Sequence, residues 1–477
     1  MRYALPILSV LALVGSASAP SGASGFEPGA LRRLPATAAE ELPSRVEPAA
    51  YEYGMAPEPG PIVPPDVSPA SLSSASIADD EQYFTMDELR AEMKKLAWGK
   101  GDFRIVPYGF LWATMAYDSD RTFPGAYTLF VPSRAVEGED AFIIDVRRTR
   151  LGLNVDGPQI PWLDCAESRA QVEIDFQGDF FVVENKASVL LRHAYWEAKN
   201  DRFRILVGQY WDLISPLYPN TLMYSVGWAG GNMGYRRAQF RLERYFTVSD
   251  HLRLAAQMSL NQDIVSDFAA TAAIEGEPAD WPVIQGRLGA TLGPRGENCR
   301  PIDLGVFGHV GEQEFDFTTN SGPPFFFPPA DDVRIATWSF GVDVRIPITE
   351  RFGFQGEYFT GRNLGTFLGG IAQGVCPCRR EGIRATGGWF EFWYDWTSRW
   401  HSHVGFGIDD PNDNDLVLGR RYNHFLFGNV HFDVTEKLNA GLELSSWKTL
   451  HTGAAVGDPD LPPGESVRLE FVTRYGF

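Results

Sequence analysis

Apolar and polar residues alternate with a period of two along most of the chain after residue 100. Segments 251–260, 337–346 and 438–445 show the pattern clearly. In the first of these, the apolar members are Leu252, Leu254, Ala256, Met258 and Leu260. Successive side chains of a β-strand point to opposite faces, so each segment is predicted to be a strand with one apolar and one polar face. The pattern favours an all-β fold.

Connections between the predicted strands fall into two kinds. Short polar turns are expected at 198–202, 248–251, 348–351, 397–400 and 434–437. Longer irregular segments separate other pairs, at 213–235, 264–280, 312–331 and 361–382. Short turns at one end and long loops at the other are typical of a transmembrane antiparallel β-barrel, with periplasmic turns and extracellular loops. We therefore predict such a barrel over residues 101–477.

The strand number follows from the same pattern. Sixteen strands are predicted, within a range of fourteen to eighteen, because boundaries read from a pattern are imprecise by a few residues. Their expected starts lie near residues 103, 141, 168, 187, 202, 236, 251, 282, 301, 333, 352, 384, 402, 421, 438 and 466. An even number allows both ends of the barrel to meet on the periplasmic side.

The last segment, ESVRLEFVTRYGF, alternates up to a terminal aromatic residue. Tyr475 and Phe477 belong to its apolar face. A terminal aromatic strand is an aggregation hazard in a soluble sheet, so we interpret it as a strand that closes against the first one and faces lipid. The alternative is an edge strand of a secreted β domain.

Residues before the barrel predict export and little structure. Residues 1–19 have the basic start, apolar run and small residues of a signal peptide. Residues 20–80 hold 11 of the 33 prolines and are expected to form a disordered periplasmic linker. Residues 85–98 are expected to form a short amphipathic helix that begins with a capping box at Thr85 and Glu88.

Composition narrows the function. No stretch after the signal approaches the roughly 18 to 20 apolar residues of a membrane-spanning helix. The net charge of −19 argues against a nucleic-acid partner, and no cofactor is expected.

Of the four cysteines, Cys165 and Cys299 are predicted in periplasmic turns, whereas Cys376 and Cys378 share an extracellular loop. The sequence is compatible with free thiols and with local disulfide pairing, and the C-P-C spacing alone is only a weak indication of a metal site.

Arginines recur at positions expected to face the lumen. Such residues include Arg148, Arg150, Arg192, Arg237, Arg241, Arg253 and Arg287. Tyr195, in the same segment as Arg192, is predicted to face outward. A guanidinium group suits carboxylate and phosphate ligands, so the arginines predict a constriction that favours anions. The alternative is that they pair with inward-facing acids and only keep the lumen polar.

The segment from Ile214 to Tyr235 carries no charged residue and is rich in glycine and aromatic residues. It connects the fifth and sixth predicted strands, where a third long loop would fold into the pore. Tyr218, Tyr224 and Trp228 are then expected to offer apolar faces to an organic solute. The alternative places this loop on the outer surface or at a subunit contact.

Two further groups are candidates for metal ions. Asp409, Asp410, Asp413 and Asp415 fall in one predicted extracellular loop; oxygen ligands at this density suit calcium, but an EF-hand glycine and distal glutamate are missing. A solvated acidic loop is the alternative. His401 and His403 share a strand face near a periplasmic turn, with no third ligand evident in the sequence.

Part of the chain resembles a known family. RTRLGLNVDG, LLRHAYWEAKNDRFRILVGQYWDL, the uncharged loop and GYRRAQFRLERYF resemble bacterial outer-membrane porins, and most closely the DcaP-like trimeric porins. The resemblance implies a sixteen-stranded homotrimer with an N-terminal periplasmic helical segment that admits anionic organic acids. Arg150 and Arg192 match the family's lumen-facing basic positions, and Phe477 matches the signal that the barrel-assembly machinery reads. The long Pro-rich linker, the shorter helix and the extra cysteines depart from it.

Three functions follow from these expectations. The first is a passive porin of the bacterial outer membrane for small hydrophilic, anionic solutes. The second is a barrel hydrolase, which requires a Ser–His–acid set that none of the eight histidines indicates. The third is a structural or adhesive surface barrel, which a lumen filled by loops would favour.

Overall fold

The computed structural model describes residues 98–477 except 137, 179–185, 266–273, 295–298 and 323. Within these residues, sixteen long strands pair in antiparallel order, and the last pairs with the first to close a barrel. The strands are β1 (Phe103–Asp118), β2 (Arg150–Ile160), β3 (Ala166–Asp175), β4 (Leu190–Lys199), β5 (Phe203–Trp211), β6 (Arg236–Ser249), β7 (Leu252–Asn261), β8 (Val283–Leu292), β9 (Ile302–Phe317), β10 (Ala330–Pro347), β11 (Phe352–Arg362), β12 (Arg384–Asp395), β13 (Trp400–Pro411), β14 (Arg420–Asp433), β15 (Leu438–His451) and β16 (Gly464–Gly476).

Shorter elements extend the sheet or lie in the loops. Ala141–Asp145 pairs with the end of β1 above β2, and Ile274–Pro278 pairs with the end of β9 above β8. The remaining short strands are Trp98–Lys100, Phe123–Pro124, Thr128–Phe130, Val375–Cys376 and Glu381–Gly382, and the two 3-10 turns are Pro161–Leu163 and Gly365–Phe367. In the described part of the chain, no helix has the length and apolar character needed to cross a membrane.

Alternation along each strand separates an outer apolar face from a polar lumen. In β16, Val467 and Leu469 expose 46% and 47% of their surface, whereas Arg468 between them exposes 0%. Outward leucine, valine and aromatic side chains recur around the wall. A closed barrel leaves no unpaired strand edge, and an outward apolar band is the surface that lipid requires. The barrel is therefore an integral membrane protein of the outer-membrane type.

The barrel closes through the last residue. The backbone N–H of Phe477 donates to the carbonyl of Gly109 at 3.0 Å, and the N–H of Gly109 donates back at 3.2 Å. A Cβ at Gly109 would lie 2.8 Å from the Phe477 ring, so only glycine fits beside this aromatic. Tyr475 pairs with Leu111 on the outward face. The expectation that the final strand closes against the first is confirmed.

The connections sort as predicted. Turns at 200–202, 250–251, 348–351, 396–399 and 434–437 lie at one end, and the longer loops lie at the other. Cys165 and Cys299 belong to the short-turn end, Cys376 and Cys378 to the long-loop end, and all four are free thiols. The signal peptide, the linker and most of the predicted helix fall outside the described residues; Trp98, the last residue of that helix, instead begins a short strand.

Candidate functional site

Segment 212–235, here called the lumen loop, begins with Asp212 and contains the uncharged segment 214–235; it lies inside the barrel. Its path is set by close backbone contact with the wall. Gly231 has a φ of +122°, and a Cβ there would meet the carbonyl oxygen of Gly388 on β12 at 2.2 Å. No other residue allows this backbone to lie directly on the strand. The loop therefore crosses the lumen, as the sequence predicted.

Three glutamates on the far wall anchor the lumen loop. Glu357 on β11 accepts the N–H of Leu217 at 2.7 Å. Glu391 on β12 accepts the N–H and the side-chain amide of Asn220 at 2.7 and 2.6 Å. Glu443 on β15 accepts the N–H of Leu222 at 2.7 Å and the hydroxyl of Thr221 at 2.5 Å. We call Glu357, Glu391 and Glu443 the glutamate wall, and sequence reasoning did not find it.

Three loops pack together above the lumen. Tyr224 and Trp228 of the lumen loop join Tyr127, Leu129, Leu368 and Ile371 from loops 119–149 and 363–383 in one buried apolar cluster. Asn423 on β14 donates to the carbonyls of Leu129 and Ala229, which fixes two of the loops to the wall. Trp228 is fully buried and Tyr224 nearly so. This differs from the prediction, because apolar burial between loops takes both rings away from any solute.

Arg192 on β4 is held by two acids of β3. Its guanidinium donates to Glu173 at 2.8 Å and also to Asp175. The pairing of β3 with β4 shifts by one residue at Glu173 and Ile174, so an extra residue of β4 enters the inward face. Tyr195 consequently contacts the inward-facing Tyr210 edge to face, with ring centroids 4.8 Å apart. The prediction that Tyr195 faces outward was wrong, because a bulge resets the alternation.

Arg150 lies beside the same two acids, and Arg148 contacts the lumen loop. Arg148 stacks over Trp112 at 3.9 Å and donates to the carbonyl of Leu222 at 2.7 Å. Arg150 lies 3.9 Å from Glu173 and over the Phe110 ring at 5.0 Å. Both side chains are almost fully buried. They contact the wall and the loop at the level of the constriction.

Three other predicted arginines pair with wall or loop acids. Arg237 bonds Asp212 at the base of the lumen loop, Arg241 lies 3.5 Å from Glu243, and Arg287 makes two bonds to Asp343 at 2.9 and 2.6 Å. Their charges are thus locally balanced, as the alternative interpretation expected. Arg253 lies apart from the loop, near the short-turn end, with its guanidinium over Tyr245 at 4.3 Å.

Arginines and acids lie together around β2 to β4. Of the described residues, Asp145, Glu173 and Asp175 contribute carboxylates to this group. Its guanidinium groups belong to Arg147, Arg148, Arg150, Arg192 and Arg236. We call this group the arginine cluster. Sequence reasoning named three of its arginines.

A cavity of about 200 Å³ remains between the lumen loop and the wall of β5 to β7. Its lining combines aromatic and charged side chains: Tyr210, Trp211, Tyr218, Arg204, Arg241 and Glu243. Tyr218 and Arg241 were predicted to line the pore. Arg204, Tyr210 and Trp211 were missed, although the alternation of β5 places Arg204 and Tyr210 on one face. Elsewhere at this level, inward side chains such as Asp409, Asn423 and Thr449 are fully covered.

A larger cavity of about 730 Å³, here called the vestibule, opens beneath the lumen loop at the short-turn end. Trp393, His401, His403, His431, Arg345 and Arg474 are among its lining residues. Asn220 and Leu222 of the loop form part of its roof. The lumen therefore has a wide lower chamber, the vestibule. Its upper half is narrowed by loops and contains the 200 Å³ cavity.

The predicted aspartate group is dispersed. Asp409 accepts the N–H groups of Gly370 and Ile371 inside the barrel. Outside it, Asp413 pairs with Arg421 and Asp415 with Arg384, and each arginine lowers the pKa of its partner. Three acidic ligand atoms approach within 4.8 Å at Glu277, Asp316 and Asp332 instead, within the described residues. Asp409 therefore lies apart from Asp413 and Asp415, because the end of β13 turns its side chain inward.

Comparison with solved structures identifies the fold. The outer membrane channel DcaP of Acinetobacter baumannii is similar over 80% of this chain and 99% of its own, with a TM-score of 0.62 and 14% identity. The chain has the porin fold. An anion-selective porin from Comamonas acidovorans is also similar, over 79% of this chain and 100% of its own, with a TM-score of 0.51 and 10% identity. No protein-family model and no curated protein sequence matches this porin-like chain.

Proposed function

We propose that the protein is an outer-membrane porin through which small hydrophilic solutes diffuse passively. The observation that carries the proposal is the lumen loop anchored across a closed sixteen-stranded barrel, which leaves a 200 Å³ cavity above a 730 Å³ vestibule. An internal loop with polar cavities on both sides narrows an aqueous path without providing a reaction centre. The transport step involves no cofactor and no covalent chemistry.

Anions are the favoured solutes in this proposal. We expect a positive field beside the loop, because the arginine cluster brings five guanidinium groups together there. Walls of low dielectric strengthen such a field within a narrow cleft. The cavity adds Arg204, Arg241 and the faces of Tyr210 and Tyr218, which suit an organic skeleton bearing a carboxylate. The similar porin from Comamonas acidovorans is anion-selective, which agrees with this direction.

Planar-bilayer recording tests the proposal. The purified protein is expected to give stepwise openings and a reversal potential in a salt gradient that indicates anion preference. Replacing Arg148 and Arg150 by alanine is expected to weaken that preference, because two of the cluster's five guanidinium groups are removed. Arg244→Ala is the matched control, since Arg244 faces outward on β6. An unchanged reversal potential in the double variant, with openings intact, would contradict the assigned selectivity.

A structural surface barrel is the second candidate. Its supporting observation is the buried core that the three loops form above the lumen. Silence of the folded protein in bilayers, together with silence after the glutamate wall is removed, would favour this function over transport.

Assembly is also part of the proposal. The resemblance to DcaP-like porins supports a homotrimer in the outer membrane, inserted by the barrel-assembly machinery through the terminal aromatic strand. Native mass spectrometry in detergent is expected to show three subunits. Phe477→Ala is expected to lower the amount of barrel inserted in the outer membrane, whereas Phe246→Ala, another exposed aromatic, leaves it unchanged.

A further inference from the structure

Two guanidinium groups of the 200 Å³ cavity share one aromatic ring. Arg204 on β5 and Arg241 on β6 both line this cavity beside the lumen loop. Their guanidinium carbons lie 5.0 and 5.1 Å from the centre of the Tyr210 ring. Like charges gathered at one ring repel each other, and they do so more strongly in a protein than in water. An acid beside them therefore matters for what else the pair can bind.

Glu243 on β6 is that acid. Its Oε1 lies 3.5 Å from Nη1 of Arg204 and 3.5 Å from Nη1 of Arg241. Both distances exceed the roughly 2.7 to 2.9 Å of a charge-assisted hydrogen bond between nitrogen and oxygen. Among the described residues, none gives Oε1 a well-aligned hydrogen bond. The carboxylate is held instead through Oε2, which accepts the Tyr245 hydroxyl at 2.5 Å, and through an interaction with Gln257.

Each arginine has a closer partner than Glu243. Nε of Arg204 donates to Glu197 at 2.5 Å, and Nε of Arg241 donates to Gln239 at 2.9 Å. Arg241 also donates to the backbone carbonyl of Trp211. These bonds fix the two side chains independently of Glu243. The two Nη1 groups are thus positioned around a carboxylate oxygen that they attract without bonding it closely.

We propose that Glu243 is a built-in competitor of solute carboxylates and sets how tightly the cavity holds them. The proposal rests on the porin function proposed above and names the residue that sets its specificity. A solute carboxylate in the cavity interacts with Arg204 and Arg241, and the ionised Glu243 beside them repels it. Conduction requires binding that is favourable enough for entry and weak enough for release. Glu243 therefore favours passage of an anion over its retention.

Fluorine NMR titration of the purified full chain in detergent with trifluoroacetate, a small carboxylate, tests the proposal at pH 7.5. Glu243→Gln keeps the size of the side chain and an acceptor for Tyr245. It is expected to tighten binding at least about fivefold, because a like charge beside the bound carboxylate is removed. Glu465→Gln, which removes an exposed carboxylate paired with Lys448, is the control and leaves the affinity unchanged. Trifluoroethanol, which has the same fluorinated group without the charge, should not distinguish the variants.

Heat-modified mobility on gels checks that each variant is folded. Glu243→Asp retains the charge but withdraws it from the arginines by one methylene, so it should bind with intermediate affinity and serves if the glutamine variant fails to fold. Equal affinity of wild type and the folded variants overturns the proposal. Weaker binding in Glu243→Gln also does so, because it would mean that Glu243 orients the arginines. Absence of binding to every variant has the same consequence. The titration does not require that the barrel conducts, so each of these results leaves the porin proposal to its own bilayer test.

Discussion

The arginine cluster and the glutamate wall lie on different strands of the barrel, on either side of the lumen loop's anchoring contacts, and use their charges in different ways. On the arginine side, side chains pair with side chains, as Arg192 does with Glu173 and Asp175. On the glutamate side, carboxylates of Glu391 and Glu443 accept backbone N–H groups of the loop. One wall therefore sets the field of the constriction, and the other sets where the constriction lies.

The difference has an energetic side. Removal of a buried guanidinium from two acids leaves buried negative charges without their main ion-pair partner. Backbone N–H groups released from a glutamate can turn to water in the vestibule or in the small cavity. We therefore expect substitutions on the arginine side to affect stability most, and substitutions on the glutamate side to affect conductance most.

Arg192→Ala is expected to have the largest effect on stability. It leaves Glu173 and Asp175 buried without their main partner, a loss that typically costs about 3 to 5 kcal/mol. Denaturant unfolding in detergent measures it. Arg334→Ala is the control, because its partner Asp280 is exposed and the pair is worth little. Equal unfolding midpoints for the two variants would remove the proposed contrast between buried and exposed pairs.

Alanine at both Glu391 and Glu443 is expected to release the lumen loop. Each lost buried acceptor costs about 1 to 3 kcal/mol, and the freed loop widens the path, so conductance should increase roughly twofold or more. Single-channel recording and unfolding are both measured, with Glu465→Ala, an exposed glutamate, as the control. If conductance stays at the wild-type value while stability falls, the glutamate wall holds the loop without controlling passage.

The smallest effect concerns the loop at 412–419 and pH. Arg421 and Arg384 hold the pKa of Asp413 and Asp415 below the ordinary value, which is about 3.9 for aspartate. Because these pKa values are lower in the folded loop than in the unfolded one, the ionised carboxylates stabilise the loop above about pH 3.9. This stabilisation is lost as the pH falls through the lower pKa values of the folded loop. Hydrogen exchange of this loop should rise below pH 4 beyond the intrinsic rate. In Arg384→Gln the rise should be smaller, and an identical rise would show that Asp415 contributes nothing.

Much of the barrel could be predicted from alternation alone. Strand starts at 103, 236, 352, 384 and 438 agree with the structure, because lipid on one side and water on the other impose the period of two. Tyr195 shows where the pattern fails: a single inserted residue at a bulge exchanges the two faces, and nothing in the local composition marks it. Alternation therefore does not reveal a bulge where the inserted residue is tolerated on either face of the strand.

The site was less predictable than the barrel. Charge-free composition correctly placed segment 214–235 in the lumen, but its anchors are contacts between residues 140 or more apart in the sequence, such as Leu217 with Glu357. No spacing in the sequence reports such a contact. Trp228 was assigned to the pore because it is aromatic, whereas packing among three loops decided its place. His431 lay unnoticed because strand register, rather than sequence spacing, puts it beside His401.

The anchoring of the lumen loop through main-chain N–H groups separates two properties of a channel. Glu357, Glu391 and Glu443 recognise the path of the polypeptide, and the N–H groups of Leu217, Asn220 and Leu222 would be present with almost any side chain at these positions. Variation of the loop can therefore alter what the channel admits while the loop keeps its place. The side chains of the loop are therefore replaceable, whereas the backbone hydrogen bonds that hold it to the barrel wall are kept.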